Sequence, residues 1–320
     1  MKLATLPNGT PDGRLHLVSR DLTRAAPAEA AQTLQAALED WEALAPVLEA
    51  QSAEVNAGAG APFDPAQAPA PLPRAWQWLD GSAFDSHGDL MDALLGVTPE
   101  KTGIPLMYQG VSNKFYGPCE DVRMPSEEDG IDFEGEFGVI TDAVPMGTDV
   151  ATARGHIRLI VQINDWSLRA LAGPEMRTGF GWVRAKPACS MAPVAVTPDE
   201  LGSSWRDARV DLPLLVDRDG TRFGAANGYA MSAGFDDLVA HGAYSRDLVA
   251  GTVIGSGTVS NENYREIGSS CIAERRGIEK LDTGEPTTPF MHFGERVRME
   301  CVGADGTSVF GAIDQKVVKA

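Results

Sequence analysis

The chain has 320 residues, 43% of them hydrophobic, and sets 27 Lys and Arg against 45 Asp and Glu for a formal net charge of −18. That length suits one large domain or two unequal ones with a sizeable core, and so acidic a balance speaks against nucleic acid or an anionic membrane surface as a partner. Four cysteines (Cys119, Cys189, Cys271 and Cys301) stand far apart with no CxxC pair, which argues against a zinc site and a disulfide framework.

The opening residues contain no apolar leader core, and no stretch approaches about 18 consecutive apolar residues. The expectation is a reduced, soluble, cytoplasmic protein. Residues 1–25 read as two short strands around the turn NGTPDG. Residues 27–56 follow a helical pattern with a break expected at Pro46. The run AGAGAPFDPAQAPAPLP at 57–73 reads as a linker or extended connector. It separates a small N-terminal domain with its linker, 1–72, from a main domain, 73–320. In the main domain short strands alternate with Gly, Pro, Asn and Asp turns, and core packing is expected of the cluster Trp76-Gln77-Trp78. Helices are expected at 84–96, at 148–156 with Thr148 as N-cap, and at 233–241. The fold class is α+β, mostly β. No internal repeat of roughly 20–50 residues is present.

The stretch IDFEGEFGVI, 131–140, carries the first chemical signal. Strand alternation places Ile131, Phe133, Phe137 and Val139 on one face and Asp132, Glu134 and Glu136 on the other. Same-face neighbours lie about 6.6 Å apart, and like charges that close repel. Two readings stay open: an acidic face turned to water, or oxygen ligands for a hard divalent cation. Downstream, HIRLIVQINDWSLR (156–169) sets Ile157, Leu159, Val161 and Ile163 on one face and ends in Asn164-Asp165-Trp166-Ser167. Asp165 there is either a third carboxylate ligand or an Asx turn. The Gly- and Ser-rich run GSGTVSNENYREIGSSC, 255–271, is a surface loop or an active-site loop presenting N–H groups and hydroxyls. Dinucleotide, P-loop, nucleophile-elbow and HExxH signatures do not occur.

Taken in order, DFEGEFGVI, INDWSLR, RAKPACSMAPVAVTPDEL (184–201) and GSGTVSNEN resemble the fumarylacetoacetate hydrolase family over residues 73–320. The N-terminal region is similar to that of two-domain, bacterial-type members. The resemblance implies a mixed β-roll catalytic domain, a homodimer, and a divalent cation, Mg²⁺ first with Mn²⁺ or Ca²⁺ as alternatives. It implies Glu134, Glu136, Asp165 and Asp80 as metal ligands, and His87, seven residues after Asp80, as a catalytic residue. It further implies catalytic roles for Lys186 and Glu274, and substrate contacts for Tyr108, Gln109 and Thr258. The chain departs from the family pattern at several places, among them the Asn absent from DGSAFDSH and a Gly-to-Glu spacing before Glu274 two residues longer than the family's. Pro187 follows Lys186 where the family has Ser or Gly, Gln109 stands where a His is usual, and Leu90 replaces the Glu of a His-x-x-Glu dyad.

The implied activity is metal-dependent hydrolysis of a C–C bond in a β-diketone acid such as an acylpyruvate or a fumarylacetoacetate-like compound. In that chemistry His87 takes a proton from water and Lys186 supports an oxyanion. Hydration, decarboxylation or isomerisation of a 2-oxo acid is the alternative on the same fold, and a cation-stabilised protein without turnover is the non-enzymatic one. Arg169, Arg177 and Arg184 either receive acidic groups of the substrate or form salt bridges within the protein.

Overall fold

The computed structural model describes residues 1–95 and 103–320. The expected helix at 84–96 runs as Asp85–Leu95, and its final residue lies outside the described residues. In chain order the N-terminal part contributes β1 (Lys2–Leu6), β2 (Arg14–Val18), β3 (Arg24–Pro27), α1 (Leu34–Glu39), α2 (Trp41–Asn56) and β4 (Ala61–Pro62). Then come β5 (Trp78–Ser82), α3 (Asp85–Leu95), β6 (Leu106–Gln109), β7 (Val122–Met124), β8 (Ile131–Asp132), β9 (Gly135–Thr141), α4 (Val150–Ala153), β10 (Ile157–Asn164), β11 (Ser167–Leu168) and α5 (Arg169–Met176). The remainder supplies β12 (Ser190–Met191), β13 (Ala195–Val196), β14 (Trp205–Arg206), β15 (Arg209–Val210), β16 (Pro213–Arg218), β17 (Thr221–Asn227), α6 (Phe235–Gly242), β18 (Val253–Gly255), α7 (Tyr264–Ile267), α8 (Ile272–Thr283), β19 (Arg296–Cys301) and β20 (Ile313–Lys319).

Among the described residues two sheets carry the architecture. The larger has eleven strands in the order β4-β3-β2-β1-β13-β10-β9-β18-β5-β6, with β12 also on β10. The smaller has the order β17-β16-β19-β20-β7. Both are mixed: β18 runs parallel to β5 and β20 parallel to β7, and their other pairings are antiparallel. The N-terminal hairpin is continuous with the large sheet, since Lys2 and Leu3 pair with Val196 and Ala195. Strands so central must be apolar on both faces, and the central pair β9 and β10 is. Phe137, Val139 and Ile160 join Leu214, Val216 and Met299 in the core between the sheets. Ile140, Leu159, Val161 and Ile163 join Leu34, Trp41, Leu48 and Val55 in a second core under the N-terminal helices.

Several local expectations change. The N-terminal helix breaks at Asp40, not at Pro46, which sits inside α2. Proline costs that helix one hydrogen bond, but its buried stripe of Trp41, Leu48 and Val55 holds it to the sheet. Asp149, not Thr148, caps α4 by accepting from Thr152 N, and 154–156 is a 3₁₀ turn. A bulge between Ile157 and Leu159 turns Ile157 to the inter-sheet core, away from the face of Leu159, Val161 and Ile163. Trp78 is buried as core but Trp76 is 68% exposed. The strand at 131–140 is interrupted at Phe133–Glu134. There Asn164 Oδ1 accepts from Glu134 N at 3.0 Å, replacing a ladder bond. Helices α5 and α8 carry no expectation from the sequence pattern.

Candidate functional site

Register places the acidic groups. Asp80 of β5 pairs with Tyr108 of β6 and with Gly255 of β18. Directly opposed residues share a face, so Asp80 and Tyr108 project together. Gln109 pairs with Leu79 instead; it is exposed and accepts from Arg246 at 3.0 Å, so it is not brought to the carboxylates. Glu136 comes from β9 and Asp165 from the turn that ends β10. One oxygen from each of Asp80, Glu136 and Asp165 lies within 4.8 Å of the other two, and all three side chains are buried. Gly255 leaves the room they need. A Cβ there would stand 2.3 Å from Asp80 Oδ1 and 3.0 Å from Glu136 Oε2.

The electrostatics of this cluster are unbalanced. Asp80, Asp132, Glu134, Glu136, Asp165 and Glu274 are all buried, while Lys186 and Arg169 are the fixed cations facing them. Glu134 is well supplied. Lys186 Nζ donates to its Oε1 at 2.7 Å, Arg169 Nη2 stands 3.0 Å away, and Ser167 and Thr258 also donate to it. Burial alone would raise its pKa, but Arg169, Lys186 and His87 hold Glu134 well below the usual carboxylate range. Lys186 is pushed up because Asp165 and Glu134 outweigh its burial. Glu136 is the opposite case: neither of its buried oxygens has a hydrogen-bond partner. Burial first, then the charges of Asp80 and Asp165, drive Glu136 well above the carboxylate range, and burial and Asp165 do the same to Asp80. A buried, oxygen-only carboxylate cluster whose Glu136 has no donor fits a hard divalent cation, whose charge would relieve that repulsion. Of the four carboxylates expected as ligands, Glu134 and Asp165 accept from protein donors at both oxygens, Asp80 accepts from Gly257 N, and Glu136 has no donor.

Around this cluster Tyr108 Oη donates to Asp165 Oδ2 at 2.8 Å and Cys189 Sγ to Asp165 Oδ1 at 2.9 Å. Gly257 N reaches Asp80 Oδ1 at 3.2 Å. Trp182 packs edge-on against Tyr108, and Lys186 Nζ lies over both rings. His87, in the first turn of α3, faces Glu274, in the first turn of α8, with Nδ1 3.8 Å from Oε1. His87 Nδ1 and Glu274 Oε2 are buried without hydrogen-bond partners. Ser260 donates to Glu274 Oε1 and receives from Ser86 Oγ at 2.8 Å. The first part of the Gly- and Ser-rich run is thus a buried wall of the site, with Ser256, Thr258 and Ser260 at most 2% exposed, while Glu262, Asn263, Arg265 and Glu266 lie on the surface.

Cys189, Ser86 and Trp182 carry no site expectation from the sequence, while Ser260 falls in the Gly- and Ser-rich run with its hydroxyls. Cys189, three residues after Lys186, has a local hint of its place. Arg169 forms salt bridges with Asp132 and Glu134 rather than standing free for a substrate.

A mixed two-sheet roll that gathers carboxylates from β5, from β9 and from the turn that ends β10 defines a class of enzyme scaffold. The comparisons place the chain within it: residues 77–318 match the model described as fumarylacetoacetate (FAA) hydrolase C-terminal, and residues 1–74 match fumarylacetoacetase N-terminal domain 2. The chain belongs to the fumarylacetoacetate hydrolase family. It is 26% identical over 205 residues to 2,4-didehydro-3-deoxy-L-rhamnonate hydrolase of Sphingomonas sp. (strain SKA58), covering 60% of this chain and 68% of that one. Its fold is shared with maleylpyruvate hydrolase from Sphingobium sp. SYK-6 in complex with manganese(II) ion and pyruvate (17% identity, TM-score 0.67, all of both chains). It is shared too with 5-carboxymethyl-2-hydroxymuconate delta-isomerase from Mycobacterium smegmatis (19% identity, TM-score 0.61, 100% of this chain and 99% of that one).

Proposed function

We propose that the chain is a divalent-cation-dependent hydrolase that breaks a carbon–carbon bond in a β-diketone acid, of acylpyruvate or fumarylacetoacetate type. The observation that carries this reading is the buried carboxylate cluster of Asp80, Glu136 and Asp165, with Glu136 unpartnered and the Lys186 ammonium on Asp165, together with a His87–Glu274 pair. Asp80, Glu136 and Asp165 would hold the cation, Mg²⁺ first and Mn²⁺ second, with Glu134 as the further carboxylate behind Lys186. A cation bound there supplies Lewis-acid polarisation of the substrate's carbonyl oxygens.

The protein's own groups account for the proton transfers. Glu274 on the Nδ1 side of His87 favours the tautomer with hydrogen on Nδ1, which leaves Nε2 as base. Nε2 takes a proton from water, the water oxygen bonds to the ketone carbon, and Lys186 offsets the negative charge that develops on the carbonyl oxygen. The carbon–carbon bond then breaks. Its electron pair leaves with the second fragment as an enolate, which is protonated to give a ketone or 2-oxo acid. Tyr108 and Trp182 provide an aromatic wall beside that space. The position three after His87 is the buried, apolar Leu90, so the carboxylate partner of the histidine comes from α8. This arrangement supports hydrolysis over the decarboxylase-like pattern. The proposal includes a homodimer and a division into 1–72 and 73–320.

The test is loss of enol-diketone absorbance across a panel of acylpyruvates and fumarylacetoacetate-like acids, with Mg²⁺ or Mn²⁺, with chelator, and with Glu136→Gln. Cation-dependent formation of two acid fragments, abolished in the variant, is the expected result. Conversion of a 2-oxo acid without fragmentation would replace hydrolysis by hydration, decarboxylation or isomerisation.

A further inference from the structure

Asp132 is the carboxylate that this reading leaves without a task. It shares the acidic face of Glu134 and Glu136 but turns away from the cluster of Asp80, Glu136 and Asp165. Its Oδ1 accepts from Ile272 N at 2.7 Å, and its Oδ2 from Ala273 N at 2.9 Å and from Arg169 Nε at 2.8 Å. We propose that Asp132 is a positioning residue: it locks the first turn of α8, and with it Glu274, at the distance from His87 that the reaction needs. The inference rests on the function proposed above.

Three features favour this role over simple helix capping. First, α8 already has a local cap, Cys271, whose sulfur accepts from Glu274 N. Asp132 is supplied from a distant strand, so its bonds fix where the helix stands against the sheet rather than whether it forms. Second, the two N–H groups that it binds belong to the residues immediately before Glu274. A rigid first turn passes any displacement of Asp132 directly to that carboxylate. Third, the same Asp132 oxygen that binds Ala273 holds Arg169, whose other arm lies 3.0 Å from Glu134 Oε1. Glu134 in turn binds Lys186. One fully buried side chain therefore ties the proton-transfer pair to the cationic side of the site. The N–H groups of the helix N-terminus and the Arg169 guanidinium both supply donors to the Asp132 carboxyl oxygens. Misplacement of a catalytic group by about 1 Å is enough to cost on the order of a hundredfold in rate.

The test compares wild type with Asp132→Asn, which keeps the side-chain volume but offers one acceptor oxygen instead of two. Three quantities are read: the ring ¹⁵N resonances of His87, assigned by their absence in His87→Ala; Mn²⁺ affinity by calorimetry; and kcat and KM. The expected result is shifted His87 resonances and a kcat lowered about tenfold, with KM and Mn²⁺ affinity within about twofold of wild type. A second variant, Ala273→Pro, deletes one N–H donor from the opposite side and leaves every charge in place. Proline is tolerated in a first helical turn, and the same changes are expected at smaller size. It decides the question if Asp132→Asn does not fold. Unchanged His87 resonances and kcat in a folded variant would overturn the inference. A wild type without turnover on any panel compound would instead remove the proposed function, while the resonances would still decide whether Asp132 positions the pair.

Discussion

Lys186 Nζ stands 2.7 Å from Glu134 Oε1 and also donates to Asp165 Oδ2, so a single ammonium couples Glu134 to the cluster of Asp80, Glu136 and Asp165. In the proposed reaction its charge would offset the developing oxyanion, and the same charge opposes any cation that binds Asp165. Lys186→Met is therefore expected to act in two directions: kcat falls about a hundredfold or more, while Mn²⁺ binds more tightly. Steady-state kinetics and calorimetry on one preparation check both. Weaker Mn²⁺ binding would mean that Lys186 supports the cation instead of competing with it.

Glu136 carries two buried oxygens without donors, beside two further carboxylates. Replacing it by an amide removes the cost of ionising a buried group beside them. Glu136→Gln is expected to show no calorimetric Mn²⁺ binding, and a cation-free melting temperature at or above that of wild type. In wild type, but not in the variant, added Mn²⁺ raises the melting temperature by mass action. A cation-free variant that melts well below wild type would contradict the unbalanced charge described for this cluster.

The sequence showed the site more fully than it showed the fold's local detail, and the reason is physical. Glu134, Glu136 and Asp165 lie on or just after strongly apolar strands, where period-two alternation assigns a face without knowledge of the partners. Asp80 and His87 were accessible through spacing and the family resemblance. Gln109 was misplaced because only pairing register reveals that it opposes Leu79 while Tyr108 opposes Asp80. The bulge after Ile157 and the continuation of α2 through Pro46 depend on tertiary packing that overrides local preference. The roles of Ser260 and Asp132 arise from contacts across long sequence separations, and no local pattern announces those.

Lys2 offers a pH test remote from the site. Burial lowers its pKa from 10.5 to about 8, against the raising influence of Glu200. Its ammonium donates to the carbonyls of Ser308 and Val309. Between those two values the unfolded chain binds more protons than the folded one, so this group makes stability rise with pH across that window. The gain is at most about 1.4 kcal/mol per pH unit. Urea unfolding of wild type and Lys2→Met from pH 7 to 9.5 is expected to show the difference between them growing in favour of wild type above pH 8. Parallel pH profiles would remove Lys2 as the source.

Gly255 is required by what approaches it. Besides the two carboxylate oxygens, the Trp78 ring would lie 2.4 Å from an added Cβ. All three neighbours belong to strands, Trp78 and Asp80 to β5 and Glu136 to β9, so Gly255→Ala is expected to displace Asp80. The measured outcome is loss of Mn²⁺ binding together with a lower melting temperature, by about 2 kcal/mol of stability or more. Wild-type Mn²⁺ affinity in a folded Gly255→Ala would show that Asp80 is not needed for the cation.

The His87–Glu274 pair makes the last prediction a matter of coupling. In the proposed mechanism Glu274 would act only through His87, since its free oxygen is buried and Ser260 occupies the other. Glu274→Gln alone is expected to lower kcat about tenfold to a hundredfold, and His87→Ala alone by about a hundredfold to ten-thousandfold. If Glu274 serves by orienting the imidazole, its loss costs nothing once the imidazole is gone. The double variant is then expected to match His87→Ala within about twofold, the non-additivity of groups that work as a unit. Steady-state kcat for the four proteins decides this. Additive losses would give Glu274 a task of its own, such as a direct contact with substrate or water.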